Sequence, residues 1–425
     1  MSAKIRTHTL GCKVNQYETE YVRQGLVGIG YQDAQDGEAA DLCIINTCTV
    51  TNEGDSKSRQ LIRRVARDNP DARLIVMGCY ATRAPDEIAA LPGVAEVVTD
   101  KRELPDLLGR FGVVDIPTGI SQFGNRHRAY LKVQDGCMLR CSYCVIPYVR
   151  PQPISRPIPE ILDEVRRLVD NGYRELVLTG VHLGHYGVDG NWNKPKSQWI
   201  RLSHLVDQIA KVPGDFRLRL SSIEATEVTR ELIETISEHR DKVCPHLHVC
   251  LQSGSDAILR KMRRRWSIRM FIDRCQLLRR RLDNPALTTD VIVGFPGETD
   301  ADFQSTCRVV REVGFSKIHI FPFSRRSGTP AAEMPDQITR REKSDRGRQL
   351  AEIEQDLRSQ YFASLIGRRL QVLVESTLGD GPNRFVGTAC RYAPVELSSG
   401  ASQFGQLVDC TAVRVLDERL EATGC

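Results

Sequence analysis

Long apolar runs are missing from this sequence of 425 residues. No stretch approaches the roughly eighteen consecutive apolar residues that a membrane-spanning helix needs. The N-terminus, MSAKIRTHTLGCK, also lacks the apolar core of a signal peptide. We therefore expect a cytoplasmic protein that does not contact the membrane. Thiols stay reduced in that compartment, so the 14 cysteines are expected to ligate metals or remain free rather than form disulfides.

The overall composition excludes a disordered chain but leaves the binding partners open. With 41% hydrophobic and 27% charged residues, the sequence is typical of a folded globular protein, and its length predicts two or three domains. The net charge of +5 is small, yet residues 260–281 contain ten Lys or Arg and one Asp. Such a face attracts phosphate through counterion release, although a solvated helix surface has the same composition.

One short run, GCMLRCSYC, contains Cys137, Cys141 and Cys144. Three thiolates at this spacing can hold three corners of a cubic 4Fe-4S cluster and leave its fourth iron open to a small molecule. The alternatives are a structural zinc site and three reduced core thiols. Zinc normally takes four ligands from two separated pairs, whereas this run offers three and has no nearby histidine. The spacing therefore favours an iron–sulfur cluster.

A second group of cysteines follows predicted strands near the N-terminus. Short apolar runs predict buried parallel strands at residues 6–10, 42–47 and 74–78. Each run is followed at once by a cysteine: Cys12, Cys48 and Cys79. Because ligands bind at the carboxyl ends of parallel strands, these thiols are expected to converge on a second metal site, with simple packing as the alternative. Cys43 lies inside a predicted strand and is interpreted as a core residue.

Further along the chain, strand-like runs alternate with helical patterns. They cover residues 130–133, 175–179, 217–221, 246–251, 288–293 and 317–323. Six βα repeats predict a partial (β/α)6 barrel of the TIM type, and the Cys137 loop follows its first strand, where such barrels keep their chemistry. A Gly-, Ser- and Asn-rich linker at residues 117–128 precedes the repeats, and a charged helix at residues 339–363 ends them.

After residue 365 the pattern changes to short alternating strands. They are predicted at residues 369–375, 385–391 and 408–416, with a turn at residues 379–383. About sixty residues of this kind suit a small all-β barrel, a type that often binds nucleic acid. The chain is thus predicted to be an α/β protein with three domains: a Rossmann-like or flavodoxin-like parallel sheet at 1–115, the partial barrel at 123–360 and the small β-barrel at 363–425.

Together these motifs resemble the methylthiotransferases of the radical S-adenosylmethionine (SAM) superfamily over nearly the whole chain. TLGCKVNQYETE, NTCTVTNEGDSKSRQ and MGCYA are similar to the family's first domain, and GCMLRCSYCVIPYVR is similar to its radical SAM loop. The barrel blocks follow in the family's order: LTGVHLGHYG, LRLSSIEATEV, HLHVCLQSGSDAILRKM, TDVIVGFPGE and HIFPFSRRSGTPAA. The tail resembles the family's TRAM domain, a β-barrel that binds tRNA. TLGCKVNQYE and NTCTVT are most similar to the branch that modifies threonylcarbamoyladenosine in tRNA.

The resemblance implies an enzyme that adds a methylthio group to carbon 2 of N6-threonylcarbamoyladenosine at tRNA position 37, in the anticodon loop. It implies two 4Fe-4S clusters, two SAM molecules per turnover and an electron donor such as flavodoxin or ferredoxin, and we expect a monomer. Cys137, Cys141 and Cys144 would hold the radical SAM cluster. Cys12, Cys48 and Cys79 would hold the auxiliary cluster that carries the sulfur.

Other functions remain open at this point. Isopentenyladenosine in tRNA and a ribosomal protein side chain are the alternative substrates of the same chemistry. A non-catalytic iron–sulfur protein that binds RNA or senses redox state is the alternative from a different class. The sequence departs from the family in MRRRW, YVRPQPISRP and SRRSGTP, which leaves the details of tRNA contact open.

Candidate SAM-binding residues lie at the predicted strand ends. They are Gly180, Ser222, Glu224, Gln252, Ser253, Gly294 and Gly297. Gly180 would let SAM approach the backbone closely, the polar side chains would bind its ribose or amino group, and residues 294–298 would line its adenine. Each residue taken singly is equally consistent with a turn glycine, a helix cap or a solvated side chain.

Three more residues have open roles. His182 and His185, three positions apart, can ligate a metal, but substrate contact or loop hydrogen bonding is favoured because two cysteine sites compete for that role. Cys250 stands where the family often has proline; a core thiol is favoured, and a position inside the barrel is the alternative. No role is predicted for Cys244, Cys275, Cys307, Cys390, Cys410 and Cys425.

Overall fold

The computed structural model describes residues 2–124, 126–378, 384–398 and 404–424. The chain forms two compact units. The first comprises Met1–Gly124, Tyr130–Asn171 and Ser324–Ala332, and the second comprises Asn125–Ala129, Gly172–Phe323 and Glu333–Cys425. Among the described residues, no helix has both the length and the apolar character needed to cross a membrane.

The first part of the chain alternates strands and helices. The strands are β1 (Lys4–Thr9), β2 (Gln32–Asp33), β3 (Leu42–Thr47), β4 (Arg73–Gly78), β5 (Val94–Val97), β6 (Arg128–Asp135) and β7 (Ile154–Ser155). The helices are α1 (Lys13–Gly28), α2 (Asn52–Asp68), α3 (Cys79–Arg83), α4 (Pro85–Ala89), α5 (Leu104–Arg110), α6 (Ile146–Val149) and α7 (Ile158–Asp170). The predicted strand at residues 42–47 matches β3, and the other two N-terminal predictions lie within two residues of β1 and β4.

Strands β1 to β5 form one parallel sheet in the order β2-β1-β3-β4-β5. Successive residues of β3 point to opposite faces, so Ile44 packs in one apolar core and Ile45 in another. Cys43 is fully buried in the second core, as predicted. Because both faces of the sheet are covered, β3 and β4 are buried along nearly their whole length, and polar chemistry is left to the strand ends.

The second unit contains the later βα repeats. Its strands before residue 323 are β8 (Glu175–Gly180), β9 (Arg217–Leu220), β10 (Ser222–Glu224), β11 (His246–Cys250), β12 (Ala286–Val293) and β13 (Lys317–Pro322). Its helices are α8 (Leu202–Ala210), α9 (Arg230–Glu238), α10 (Asp256–Lys261), α11 (Ile268–Arg281), α12 (Asp300–Val313) and α13 (Arg340–Ala363). Strand β8 pairs in parallel with β9, and β10, β11, β12 and β13 form a parallel sheet in that order. The short strand β10 was not predicted separately.

The C-terminal strands close into a small barrel, as predicted. They are β14 (Arg369–Thr377), β15 (Arg384–Ala389), β16 (Pro394–Ser398), β17 (Leu407–Leu416) and β18 (Arg419–Gly424), in the order β14-β15-β16-β18-β17. The sequence did not predict β16 and β18. Strand β16 is short, and β18 follows β17 after a tight turn. The predicted turn at residues 379–383 and Cys425 lie outside the described residues.

A buried ion group connects this barrel to β8 and β9 within the second unit. Arg217 and Arg219 both pair with Glu175, at 2.6 and 3.0 Å. Their guanidinium groups also donate to barrel carbonyls, Arg217 to Gln371 at 2.6 Å and Arg219 to Ala389 at 3.0 Å. Burial alone would raise the pKa of Glu175, but the two guanidinium groups hold it well below its usual range. The two carbonyls also accept backbone N–H groups, of Cys390 and Tyr392, so the arginines add a second, charged donor to each.

Candidate functional site

Three cysteines lie at one edge of the parallel sheet in the first unit. The carboxyl ends of the strands are level there, because Thr9 pairs with Asn46 and Thr47 pairs with Gly78. Cys12 is the N-cap of α1, Cys48 directly follows β3, and Cys79 is the first residue of α3. The three cysteines therefore lie at one edge of the sheet, in the positions that the sequence predicts, and burial raises the pKa of the Cys12 thiol.

Glycines allow these cysteine loops to approach each other. Gly11 has φ +103°, and a Cβ placed there would lie 2.9 Å from Cys48 Cβ and 3.1 Å from Cys48 Sγ. The pKa of the Cys48 thiol is raised, chiefly by burial and further by the neighbouring thiols of Cys79 and Cys12. Neighbouring thiols that disfavour the Cys48 thiolate suit an iron cluster, which binds cysteine in its thiolate form. The donor set therefore fits three corners of a 4Fe-4S cluster.

A buried polar network lies beside Cys79. The guanidinium of Arg150 donates from Nε to Cys79 Sγ at 3.4 Å and from Nη1 to Glu18 and Asp135 at 2.7 and 2.8 Å. Its Nη2 donates to Asn15 Oδ1 at 3.2 Å. This network was not predicted from the sequence. The sequence signal for it was a stripe of polar residues on α1, formed by Asn15, Glu18 and Thr19. The buried face of a helix is normally apolar.

The second cysteine triad occupies the loop between β6 and α6, also in the first unit. Gly136 opens the loop with φ +77°, where a Cβ would meet the carbonyl oxygen of Gln152 at 1.8 Å. The Cys137 N–H donates to the Arg150 carbonyl at 2.9 Å, and the Cys144 N–H donates to the Cys141 carbonyl at 3.1 Å. Cys141 is buried, and the other two cysteines are half-buried. The backbone thus holds the three cysteines in one tight turn, which suits the three-thiolate site predicted from their spacing.

The predicted SAM-binding residues lie in the second unit, at or next to strand ends. Gly180 is the last residue of β8, and Gln252 and Ser253 follow β11. Gln252 has φ +68° and donates its N–H to the Asp290 carbonyl at 2.8 Å, so the backbone turns sharply at this point. Ser253 is completely buried. Their positions match the expectation, and their role in SAM binding stays a prediction.

Ser222 and Glu224 form the two ends of β10. Ser222 is exposed, whereas Glu224 is buried and pairs with Arg264 at 3.0 Å and with Arg265 at 3.1 Å. Both arginines belong to the basic stretch of residues 260–281, for which the sequence predicted a phosphate-binding or solvated face and not a pairing with Glu224. Because each carboxylate oxygen has a guanidinium partner, the Glu224 side chain is held in one orientation.

The loop after β12 is built around a buried carboxylate. Gly294 and Gly297 both have φ +70°. The Gly294 N–H donates to Glu298 Oε2 at 2.7 Å, and Arg346 donates to the same oxygen at 2.8 Å. Glu298 therefore shapes the loop, and burial raises its pKa. A role for this loop at the adenine of SAM stays a prediction.

His182 and His185 follow β8 and form a stacked pair beside Glu227. The ring centroids are 3.7 Å apart, with an interplanar angle of 19°. The side-chain donor atoms of the three residues lie within 4.8 Å of one another, but stacked rings direct their nitrogen lone pairs in parallel rather than toward one ion. Arg265 donates to Glu227 at 2.7 Å. The positive charge next to this carboxylate is therefore a guanidinium. The stacking disfavours metal ligation, and substrate contact or loop hydrogen bonding by the two histidines stays a prediction.

Cys250 is half-buried at the end of β11, on the same strand face as His248. His248 Nε2 lies 3.3 Å from Asp290 Oδ2. Burial alone would lower the pKa of His248, but Asp290 and Cys250 outweigh it and raise that pKa to about 10. Cys250 thus has an imidazolium neighbour, which a purely apolar core thiol would not have.

Two family models match the sequence. The first, described as "Uncharacterized protein family UPF0004", covers residues 4–100, and the Radical SAM superfamily covers residues 131–310. The first match contains Cys12, Cys48 and Cys79. The second match contains the triad of the loop after β6. Among solved structures, the radical SAM methyltransferase TsrM from Kitasatospora setae superposes with a TM-score of 0.55 at 14% identity, over 78% of this chain and 77% of that chain. This likeness shows a shared fold.

Curated relatives align over almost the full length. The "Threonylcarbamoyladenosine tRNA methylthiotransferase MtaB" of Bacillus subtilis (strain 168) is 39% identical over 96% of this chain and 93% of the relative. Its Chlamydia pneumoniae namesake is 40% identical over 98% and 95%. The "tRNA-2-methylthio-N(6)-dimethylallyladenosine synthase" of Aquifex aeolicus (strain VF5) is 34% identical over 88% of each chain. With both cysteine triads in place and this identity over its length, the chain belongs to the radical SAM methylthiotransferase family.

Proposed function

We propose that this protein transfers a methylthio group to carbon 2 of N6-threonylcarbamoyladenosine at position 37 of tRNA. The observation that carries the proposal is the presence of two separate three-cysteine sites in the first unit, one at the sheet edge and one in the loop after β6. The choice of substrate rests on the relatives. Relatives named for threonylcarbamoyladenosine are 34–40% identical, and those named for dimethylallyladenosine are 32–34% identical.

The two cysteine triads would have different roles. Cys137, Cys141 and Cys144 would hold the radical SAM cluster, and the sheet-edge cysteines would hold the auxiliary cluster. When bound, the clusters supply the electron that cleaves SAM and the sulfur that is transferred. The chain keeps one iron of each cluster free of protein ligands, because each site offers only three thiolates. The carbon–hydrogen bond of an aromatic base has no acidic proton, so the side chains position and shield rather than act as bases.

The second unit would bind SAM at its strand ends. Gly180, Glu224 and Ser253 are the candidates for contact with the cofactor, and the loop of residues 294–298 would line its adenine. In this proposal the six strand runs predicted between residues 130 and 323 form a partial (β/α)6 barrel, whose chemistry lies at the carboxyl ends. The order β2-β1-β3-β4-β5 supports a flavodoxin-like first domain. We keep the domain boundaries 1–115, 123–360 and 363–425.

For tRNA, we propose two contact surfaces. The closed C-terminal barrel would act as the TRAM domain, and residues 260–281 would supply a basic face for phosphate. Several arginines of that stretch are exposed: Arg260, Arg263, Arg269, Arg279, Arg280 and Arg281. A single-stranded anticodon loop suits such a site, because the target base must leave its stack to reach buried chemistry. An electron donor such as flavodoxin or ferredoxin completes the system, and the protein would act as a monomer.

Cysteine variants test the division of work. Cys141→Ala should abolish all SAM cleavage, because it removes the radical SAM cluster. Cys79→Ala should still cleave SAM to 5′-deoxyadenosine but should lose methylthiolation. The wild type should contain about eight irons per chain and each variant about four. Cys275→Ala, which changes a buried thiol of α11, is the matched control and should keep both activities. Methylthiolation by both cluster variants would contradict the proposal.

Nucleoside analysis tests the substrate. Deletion of the gene should remove 2-methylthio-threonylcarbamoyladenosine from total tRNA, as measured by mass spectrometry, and a plasmid copy should restore it. Persistence of this nucleoside in a strain without a second enzyme of the same activity would show that the substrate is wrong. Loss of the 2-methylthio isopentenyl nucleoside instead would favour the other tRNA branch.

A further inference from the structure

We propose that Arg150 is a positioning residue of the auxiliary centre: it hydrogen-bonds the Cys79 sulfur, raises the reduction potential of the cluster and joins this centre to the loop of the other triad. The inference rests on the proposed function, since it takes Cys12, Cys48 and Cys79 as the cluster ligands. It adds a role for a residue that belongs to neither triad.

The contact with Cys79 is the first observation. Arg150 Nε lies 3.4 Å from Cys79 Sγ in donor geometry, and only 3% of the arginine side chain is exposed. A hydrogen bond from a charged donor is stronger than a neutral one, and it gains further strength where water is excluded. Arg150 therefore places a fixed positive charge and an N–H donor on one ligand sulfur.

Two carboxylates hold the guanidinium in place. Glu18 accepts from both terminal nitrogens, at 2.7 and 2.8 Å, and Asp135 accepts from Nη1 at 2.8 Å with each of its oxygens. Lys132 bridges the same carboxylates, at 2.7 Å to Glu18 and 2.6 Å to Asp135. A bidentate fork of this kind fixes the plane of the guanidinium, so its Nε–H keeps pointing at the sulfur.

The network also reaches the other strand ends. Arg150 Nη2 donates to Asn15 Oδ1 at 3.2 Å. The Asn15 amide donates in turn to the carbonyls of Leu10 and Thr47, at 2.9 and 3.0 Å. Leu10 lies shortly before Cys12 in the chain, and Thr47 lies directly before Cys48. Displacement of the arginine would therefore disturb all three ligand loops.

The backbone of the same residue contacts the radical SAM loop. The Arg150 carbonyl accepts from the Cys137 N–H at 2.9 Å, where the loop of the second triad begins. One residue thus contacts the first ligand of one triad through its carbonyl and the last ligand of the other through its side chain. A substitution of the side chain leaves the carbonyl in place, so its effect should fall mainly on the auxiliary centre.

The physical consequence is a change in reduction potential. Hydrogen bonds to the sulfurs and nearby positive charge favour the more negatively charged, reduced state of an iron–sulfur cluster. Loss of the Arg150 donor should therefore make the auxiliary cluster harder to reduce. Neutralisation of Glu18 should have the opposite effect, because it leaves the positive charge of Arg150 less compensated.

The experiment uses the full-length chain with Cys137, Cys141 and Cys144 all changed to Ala, so that the auxiliary cluster alone remains. After anaerobic reconstitution, its potential is measured by an EPR-monitored redox titration, and its stability by iron release to a chelator. Arg150→Gln should shift the potential to a more negative value and speed iron release. Arg150→Lys should give a smaller shift, because charge is kept but the fork is lost. Glu18→Gln should shift the potential to a more positive value.

Arg156→Gln is the matched control. Arg156 is a largely buried arginine of the same unit that pairs with Glu164 at 2.6 Å and donates to the Lys132 carbonyl. Its loss should lower the melting temperature and leave the potential unchanged. If Arg150→Gln does not fold, Arg150→Lys decides the matter: a potential equal to that of the background protein would overturn the inference.

Two outcomes would overturn the inference. One is an unchanged potential in Arg150→Gln with a full complement of iron, and the other is a shift of the same sign in Arg150→Gln and Glu18→Gln, which indicates general structural damage. Failure of the proposed function looks different. In that case the background protein, with Arg150 intact, would bind no 4Fe-4S cluster at all.

Discussion

At the scale of single residues, the glycines next to the cysteines decide how closely the ligand loops pack. Gly78, directly before Cys79, has φ +102° and ψ −175°, a backbone conformation that is essentially restricted to glycine. A Cβ at this position would lie 2.4 Å from both the nitrogen and the oxygen of Thr47. Both atoms belong to the backbone, so no side-chain rotation can relieve the clash.

Gly78→Ala should therefore displace Cys79 and abolish the auxiliary cluster. The backbone strain alone should cost about 1–3 kcal/mol of stability. Anaerobic iron analysis should find about half the wild-type iron, while SAM cleavage by the other cluster continues. Gly28→Ala is the control: a Cβ there would meet no described atom within 4 Å, and the change should stabilise the protein by about 0.4–1 kcal/mol. Full iron content in Gly78→Ala would show that the close approach is not required.

At the scale of elements, the N-terminus of α12 connects two of the loops predicted to bind SAM. Thr299 and Asp302 form a capping box, in which each side chain accepts from the other residue's N–H, at 3.2 and 3.0 Å. Asp302 also accepts from the Ser255 hydroxyl at 2.5 Å. The helix cap thus links the loop after β11 to the loop after β12, so its disruption should affect both loops.

Thr299→Ala should reduce both stability and SAM affinity. Loss of the cap should cost about 1 kcal/mol. SAM binding, measured by calorimetry on the reconstituted protein, should weaken as the two loops separate. Thr229→Ala removes a comparable cap from α9, where the hydroxyl accepts from the Leu232 N–H at 3.1 Å, and should cost similar stability at unchanged SAM affinity. If the two variants bind SAM with equal affinity, the α12 cap has no role in cofactor binding.

At the scale of the whole molecule, charge is distributed unevenly. The net charge is only +5, yet ten Lys or Arg lie within residues 260–281. Arg280 and Arg281, at the end of α11, are both exposed. Binding of a polyanion to such a face releases counterions, so affinity should fall steeply with salt.

Arg280→Gln combined with Arg281→Gln should weaken tRNA binding and flatten its salt dependence. Each lost phosphate contact should reduce the slope of log affinity against log salt by about 0.7–0.9. Filter binding at several salt concentrations measures both quantities. Arg340→Gln combined with Arg341→Gln removes two exposed arginines near the start of α13 and should leave the slope unchanged. An equal reduction in both double variants would indicate that only total charge matters.

The sequence by itself determined the features that depend on local pattern. Apolar runs of strand length identified β3 and β4, because a strand buried on both faces is apolar along most of its length, whereas only Ile5 of β1 is buried. The spacing of Cys137, Cys141 and Cys144 indicated a three-thiolate site, because residues so close in the chain must lie close in space. Convergence of Cys12, Cys48 and Cys79 followed from the rule that parallel strands end at one edge of a sheet.

Only the tertiary structure decided which distant polar residues pair with one another. Arg150 and Glu18 are separated by 132 positions, and Arg219 and Glu175 by 44, so no local pattern could match them. The short strands β10, β16 and β18 escaped prediction for a related reason, since a few residues show no clear periodicity and pairing defines them. A buried charge is stable only with its partner, and the fold alone brings the partner to it.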